Sequence, residues 1–276
     1  SPSRIIADLQ PLSLAALQTF LNNNGLQLVG LSGGSLPERM AFCGDDRRQC
    51  YLYVDKWDAE AEQAIARGFR LAVHPHAYMP IQSLSRTFEL LERHKDLSWI
   101  LDSAHLAVLE ESLETALGLY FDRLAAVHLK DWTPIYGRSA HRYARGFTDL
   151  GRGTVQIDLI LNKLSEKHFR GWLIAEQDHS DSGPYRAVSK SAAFLRDRRI
   201  LGIGGSTPTV PPPPLEETPN RVIETLSRDL ARAAQSPTQS AYAAIAQALS
   251  RVIPNRLVSL WICSPGFGLL SLAATF

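Results

Sequence analysis

Six short apolar runs, at 26–31, 50–54, 69–74, 98–102, 124–128 and 172–176, alternate with amphipathic stretches at 58–67, 83–94, 109–120, 157–168 and 185–198. Neighbouring parallel strands need a long crossover, usually a helix, so strand–helix–strand order reads as a parallel sheet with helices outside it. The run Phe69-Arg-Leu-Ala-Val73 is almost wholly apolar, as a strand covered on both faces should be. Hydrophobic residues make up 45% of the 276-residue chain, enough to build a packed core.

The pattern stops near Arg199. Residues 201–219 carry Gly202, Gly204, Gly205 and the run Pro211-Pro-Pro-Pro214, which suits neither helix nor central strand and marks a linker. The chain thus divides into a barrel-like unit at 1–200, the linker at 201–219 and a further piece at 220–276. In that last piece two Ala- and Leu-rich helices are expected at 221–234 and 240–252. Two strands flanking Ser264-Pro-Gly-Phe-Gly268 then read as a hairpin. So short a piece has little core of its own and reads as a partial α+β domain.

Closure of a barrel takes eight strands, and only six are found, with one helix at 12–23 ahead of them and scant room for another between 31 and 50. Six strands alone leave two open edges. The expected fold is therefore a TIM-type (β/α)8 barrel incomplete at its N-terminus, in a chain cut at both ends.

Lys plus Arg number 29 against 28 Asp plus Glu, so the basic excess of a nucleic-acid binder is missing. No apolar run of about eighteen residues exists, so no membrane helix is expected. Cys43, Cys50 and Cys263 form no disulfide framework and read as small buried hydrophobes in a reduced, cytoplasmic protein. No signal peptide is visible, although the chain begins with Ser rather than Met.

In β/α barrels the active site lies where the strands end, because the loops that follow converge on one mouth. Four strand ends here carry metal-competent side chains: His74-Pro-His76, Asp102-Ser-Ala-His105, His128-Leu-Lys130-Asp131 and Glu176-Gln-Asp178-His179. The steps from His74 to Asp102 and from Asp102 to His128 are each about one strand–helix unit long. The step to Glu176 is longer by the loop at 132–154. Mixed imidazole and carboxylate ligands suit one divalent ion, Mn, Co, Zn or Fe before Ca, with Mg also allowed. Held by His74, Asp102, His128 and Glu176, with His76 an alternative to His74, such an ion would polarise a hydroxy-ketone. The adjacent C–H becomes acidic, and a nearby base can move its proton.

These motifs, with Leu150-Gly-Arg-Gly153 before a helix and Gly171-Trp-Leu-Ile-Ala-Glu-Gln-Asp178, resemble the sugar phosphate isomerase/epimerase superfamily of xylose-isomerase-like barrels. Within it they are most similar to the inosose dehydratase branch, and the resemblance runs from about residue 25 to residue 199. It implies metal ligation at 74, 102, 128 and 176, and substrate contact or proton transfer by His76, His105, Lys130 and Asp178. Many relatives have Glu where His74 stands. The substitution removes a carboxylate pair and shifts the expected chemistry from two-base epimerisation toward dehydration. Residues 220–276 resemble the opening of a GAF domain, a sensory fold.

The reading is thus a metal-dependent sugar or polyol isomerase, epimerase or hydro-lyase acting on a small polyol, keto-sugar or sugar phosphate, with a homo-oligomer allowed. One alternative is a non-catalytic ligand-sensing barrel in a multidomain signalling protein. Another is an abasic-site endonuclease, which would need a multi-zinc cluster and a basic face. Each residue also has a plainer reading. Asp102 and Glu176 could simply cap helices, and Lys130 could be a surface cation or be held inward by Asp131. His94 and His168 read as surface groups. The loop with Tyr136, Arg138, His141, Arg142, Tyr143 and Arg145 could close over an anionic or polyol substrate, or be merely solvated. Gly151-Arg-Gly153 is too common to identify a phosphate cradle by itself.

Overall fold

The computed structural model describes Leu14, residues 28–178 and 184–198, and the backbone of 258–262 and 270–275. Strand β1 (Gly30–Leu31) leads into helix α1 (Leu36–Cys43), then β2 (Tyr51–Val54), α2 (Ala59–Ala66), β3 (Leu71–Val73), α3 (Leu84–Arg93) and β4 (Ser98–Asp102). There follow α4 (Ser103–Val108), α5 (Leu113–Gly118), β5 (Leu124–Leu129), a ribbon of β6 (Asp131–Trp132) and β7 (Phe147–Thr148), α6 (Ile157–Glu166), β8 (Trp172–Ala175) and α7 (Pro184–Asp197). Strands β1, β2, β3, β4, β5 and β8 pair in that order, all parallel, as a curled half-barrel. All six expected strands are present.

Beyond them, β9 (Val258–Ile262) and β10 (Leu270–Thr275) form the expected hairpin, and β10 runs antiparallel to β8, with Leu272 opposite Ala175 and Thr275 opposite Trp172. The β8 edge, expected to be open, is therefore paired. The linker at 201–219, the helices at 221–234 and 240–252 and most of the GAF-like segment lie outside the described residues. Of the expected helix at 12–23 only Leu14 is described, helical and buried. Among the described residues no helix is long and apolar enough to cross a membrane.

Two expectations about helices are corrected. Between 31 and 50 there is room for the two-turn α1, because Ser35 and Glu38 form a reciprocal capping box that makes so short a helix start cleanly. The helix expected at 109–120 is the shorter α5, and a separate helix that was not expected, α4, precedes it. Asp102 starts α4 directly at the end of β4, Glu110 breaks it at φ 57°, and Ser112 caps α5 afresh.

Side chains alternate across each strand and so build two different cores. Leu52, Leu71, Val73, Trp99, Leu101, Val127, Leu129 and Leu173 face the helices and pack with Leu84, Phe88, Leu90, Leu91, Ile160 and Leu164. On the opposite, concave face lies a smaller cluster with Tyr53, Ala72, Ile100, Ala126 and Ile174. Two residues further along each of four strands, on that same face, come His74, Asp102, His128 and Glu176.

Candidate metal centre

Strand register brings the four ends level. Asp102 sits directly opposite His128, Val54 opposite Val73 and Leu129 opposite Ala175. The ladders continue one bond further, with the His74 amide donating to the Val54 carbonyl at 2.8 Å and the Glu176 amide to the Leu129 carbonyl at 3.0 Å. As a result His74, Asp102, His128 and Glu176 each offer a ligand atom, all within 4.8 Å of one another.

Asp102 caps a helix with one oxygen and turns the other toward the cluster. Its Oδ1 caps α4, accepting from the amides of Ala104 and His105 at 3.0 Å each. The other oxygen, Oδ2, is buried and lies 3.9 Å from His74 Nε2 and 3.1 Å from Lys130 Nζ. His128 is oriented by a short hydrogen bond from Nδ1 to Glu176 Oε2, which leaves Nε2 buried and without a partner. A carboxylate behind one imidazole nitrogen and a bare lone pair on the other is the arrangement a metal-binding histidine requires.

Of the two readings of Lys130, the structure has the inward one: the side chain is fully buried, 1% exposed. Its Nζ lies 3.1 Å from Asp102 Oδ2, 3.1 Å from Glu176 Oε1 and 2.8 Å from Asp178 Oδ2. Burial alone would lower its pKa, but the three carboxylates reverse this and hold it well above 10.5. Burial likewise opposes ionisation of Glu176, yet Lys130 and then His128 carry it well below 4.5. Asp178 goes the other way: burial, reinforced by the Glu176 carboxylate, pushes its carboxyl up against the pull of Lys130.

Asp131 does not hold Lys130. It organises the loop at 150–155, its Oδ2 accepting from the amides of Gly151 and Gly153 at 2.9 Å each and its Oδ1 from Val155 at 3.1 Å. Gly151 is at φ 80°, and a Cβ on Gly153 would stand 2.2 Å from Asp131 Oδ1, so the Gly-Arg-Gly sequence is what lets the chain wrap around this carboxylate. An Asp131→Ala variant is expected to lose about 2–4 kcal/mol in urea unfolding, because several buried amides lose their acceptor together. A loss below about 1 kcal/mol would refute that role.

His76 Nε2 lies 3.2 Å from His74 Nε2, and the His76 and His105 rings stack with centroids 4.1 Å apart. His76, Asp102 and His105 also bring ligand atoms within 4.8 Å of one another. His105 is nevertheless a poor ligand. Its Nδ1 accepts the Ala77 amide at 3.2 Å, and burial lowers its pKa well below 6.5, so the neutral ring carries its proton on Nε2. It is therefore a hydrogen-bond donor, which argues against a multi-metal cluster. Burial also keeps His74 and His76 neutral, lowering both from 6.5.

The arginine loop offers less positive charge than its sequence suggests. Arg138 donates to the carbonyls of Ala107 and Val108, pairs with Glu110 and lies over the Trp132 ring, while Arg145 lies over Tyr136. His94 stacks on Trp57 on the helix side, and His168 occupies the turn after α6 at φ 51°. Tyr143, from the loop expected to close over substrate, lies beside His105, and two residues not singled out by the sequence join it: Tyr53 beneath His74 and His128, and Phe147 beside His105. Tyr53 could have been found from strand alternation. Phe147 arrives on the β6–β7 excursion, which carries no periodic signal.

Residues 25–198 match the model of a family described as the xylose isomerase-like TIM barrel. An inosose dehydratase of Erwinia tasmaniensis is 25% identical over 195 residues, 65% of this chain and 64% of that protein. One from Clostridium botulinum is 27% identical over 208 residues, 67% of this chain and 70% of the relative. The chain thus spans only part of the length of these relatives. Among solved structures, a xylose isomerase domain containing protein of Salmonella typhimurium aligns with a TM-score of 0.51 at 15% identity, covering 70% of this chain and 82% of that one. The IolI protein with a bound zinc atom aligns with a TM-score of 0.50 at 12% identity, covering 68% and 82%. Both share the fold. With the family match running across all six parallel strands, the chain belongs to the xylose isomerase-like TIM barrel family.

Proposed function

We propose that the protein is a metal-dependent hydro-lyase of cyclic keto-polyols, of the inosose dehydratase kind. The observation that carries this reading is the buried, unpartnered Nε2 of His128, which converges with His74, Asp102 and Glu176. Buried polar atoms are rarely left unpaired, and a divalent cation would satisfy this one. Two carboxylates held ionised, Asp102 and Glu176, against the one Lys130 ammonium leave surplus negative charge for it to balance. His74, Asp102, His128 and Glu176 would hold the ion. When bound, it supplies a Lewis acid that polarises the substrate carbonyl.

The protein's own groups divide the proton work. His76, kept neutral by burial, is the base that takes the proton from the carbon beside the carbonyl. Asp178, whose carboxyl is raised, gives a proton to the departing hydroxyl, so that water leaves and a C=C bond remains. His105 donates its Nε2–H to a substrate oxygen, and the Lys130 cation steadies negative charge that develops beside it. The dehydratases among the relatives, and the His at position 74 in place of a second carboxylate, favour this over two-base epimerisation.

The test is to load the protein separately with Mn2+, Co2+, Zn2+, Fe2+ and Mg2+ and incubate it with 2-keto-myo-inositol, following the absorbance of the conjugated product. Turnover with one or more of these ions, abolished by a chelator, is expected. Binding of the ketone to the metal-loaded protein without turnover would overturn the enzyme and favour a ligand-sensing barrel.

A further inference from the structure

Beyond the ionisable groups, the mouth of the centre carries a series of aromatic rings. His74 and His76 lie with centroids 4.1 Å apart, and His76 and His105 stack at 4.1 Å. Tyr143 follows at 6.0 Å from His105, and Tyr78 at 5.1 Å from Tyr143. The series thus runs from a buried candidate ligand to a half-buried tyrosine and then to an exposed one.

Tyr143 is held firmly. Its carbonyl accepts Trp132 Nε1 at 2.8 Å, and its ring packs edge-on against buried Phe147 at 5.7 Å. Tyr78 reaches it from the opposite loop, after β3, and its hydroxyl donates to the Arg138 carbonyl, latching that loop to the β6–β7 excursion. Tyr78 also sits at φ 66°, a left-handed conformation that a bulky residue keeps only where its surroundings enforce it. The 6.0 Å between the Tyr143 ring centroid and that of His105 sets Tyr143 beside the proton-handling groups.

We propose that Tyr143, braced by Tyr78, is the wall on which the apolar face of a ring-shaped polyol rests, and that it sets a preference for cyclic over open-chain substrates. The inference builds on the keto-polyol reading above and names what selects the substrate. A cyclohexane polyol carries its hydroxyls around its rim and C–H bonds on its faces. Lys130, Asp178, His76 and His105 suit the rim, and an aromatic ring suits a face. An open-chain polyol of the same composition class has no lasting apolar face, so the wall gains little from it.

The experiment is calorimetric titration of the metal-loaded full chain with myo-inositol, a non-reacting ring, and with D-glucitol, its open-chain counterpart. Wild type is expected to bind the ring more tightly. Tyr143→Ala should weaken myo-inositol by about 3- to 10-fold and D-glucitol by less than about twofold. Tyr143→Phe should bind like wild type. Tyr143→Leu, which keeps bulk but loses the ring, guards against a merely misfolded alanine variant and should behave like it, with metal content unchanged in all. Unchanged myo-inositol binding, or equal loss for both polyols, would overturn the wall alone. A wild-type protein that turns over 2-keto-myo-inositol but shows no preference for the ring would also overturn the wall alone. One that binds neither polyol and does not turn over the ketone would overturn the functional reading with it.

Discussion

Replacing Lys130 with alanine is expected to cost the metal-free protein about 3–5 kcal/mol of stability, the usual consequence of removing one partner from a buried ionic cluster. Asp102, Glu176 and Asp178 would be left facing one another with no cation among them. Urea denaturation with a chelator present measures it. The deficit should also depend on pH in a defined direction. Asp102 and Glu176 have pKa values depressed in the folded state, from 3.8 and 4.5. The stability they contribute is therefore whole above about pH 4.5 and is lost as the pH falls through their folded values. Asp178, raised from 3.8, runs oppositely and gives up its contribution as the pH rises. Because Lys130 favours the ionised form of all three carboxylates, the gap between wild type and Lys130→Ala should narrow on acidification below pH 4.5. Added divalent cation should restore the variant by more than it stabilises wild type, because it supplies the missing charge. A variant within about 1 kcal/mol of wild type at pH 7 would refute the role of Lys130 as the built-in counter-ion.

The second large effect is at Asp102, where a pair of variants separates two duties of one side chain. Asp102→Ala removes the cap of α4 and the carboxylate together. It should lose about 1 kcal/mol from the cap, and its metal affinity should fall by about 100-fold or more, beyond the usual cost of losing only an orienting partner. Asp102→Asn keeps an oxygen for the amides of Ala104 and His105 but removes the charge. It should fold with an intact α4 and yet bind metal poorly. Metal content after dialysis, read beside thermal melts, distinguishes these outcomes. Stoichiometric metal in both variants would dismiss Asp102 from the centre.

Much of this is legible in the sequence. The six parallel strands follow from apolar runs spaced by amphipathic helices, since only crossovers of that length join parallel neighbours. The four strand-end residues follow from the same spacing. Strand alternation adds that Ala72, Ile100, Ala126 and Ile174 share a face with His74, Asp102, His128 and Glu176, as the cores confirm. Less visible was α1, because a two-turn helix leaves little periodicity and rests on the Ser35–Glu38 box. The break between α4 and α5 turned on the backbone of Glu110 at φ 57°, and no composition signal announces that.

The sequence by itself determined which residues stand at the strand ends and that they fall on one face, because both are matters of local period and order. Their partners were decided by the tertiary structure. Whether Asp102 caps a helix or faces the centre, whether Lys130 is solvated or enclosed by carboxylates, and which nitrogen of His105 holds the proton depend on atoms supplied by other strands and loops. His74, Asp102, His128 and Glu176 are a list in the chain. Strand register puts them within 4.8 Å of one another, where charge and desolvation act between them.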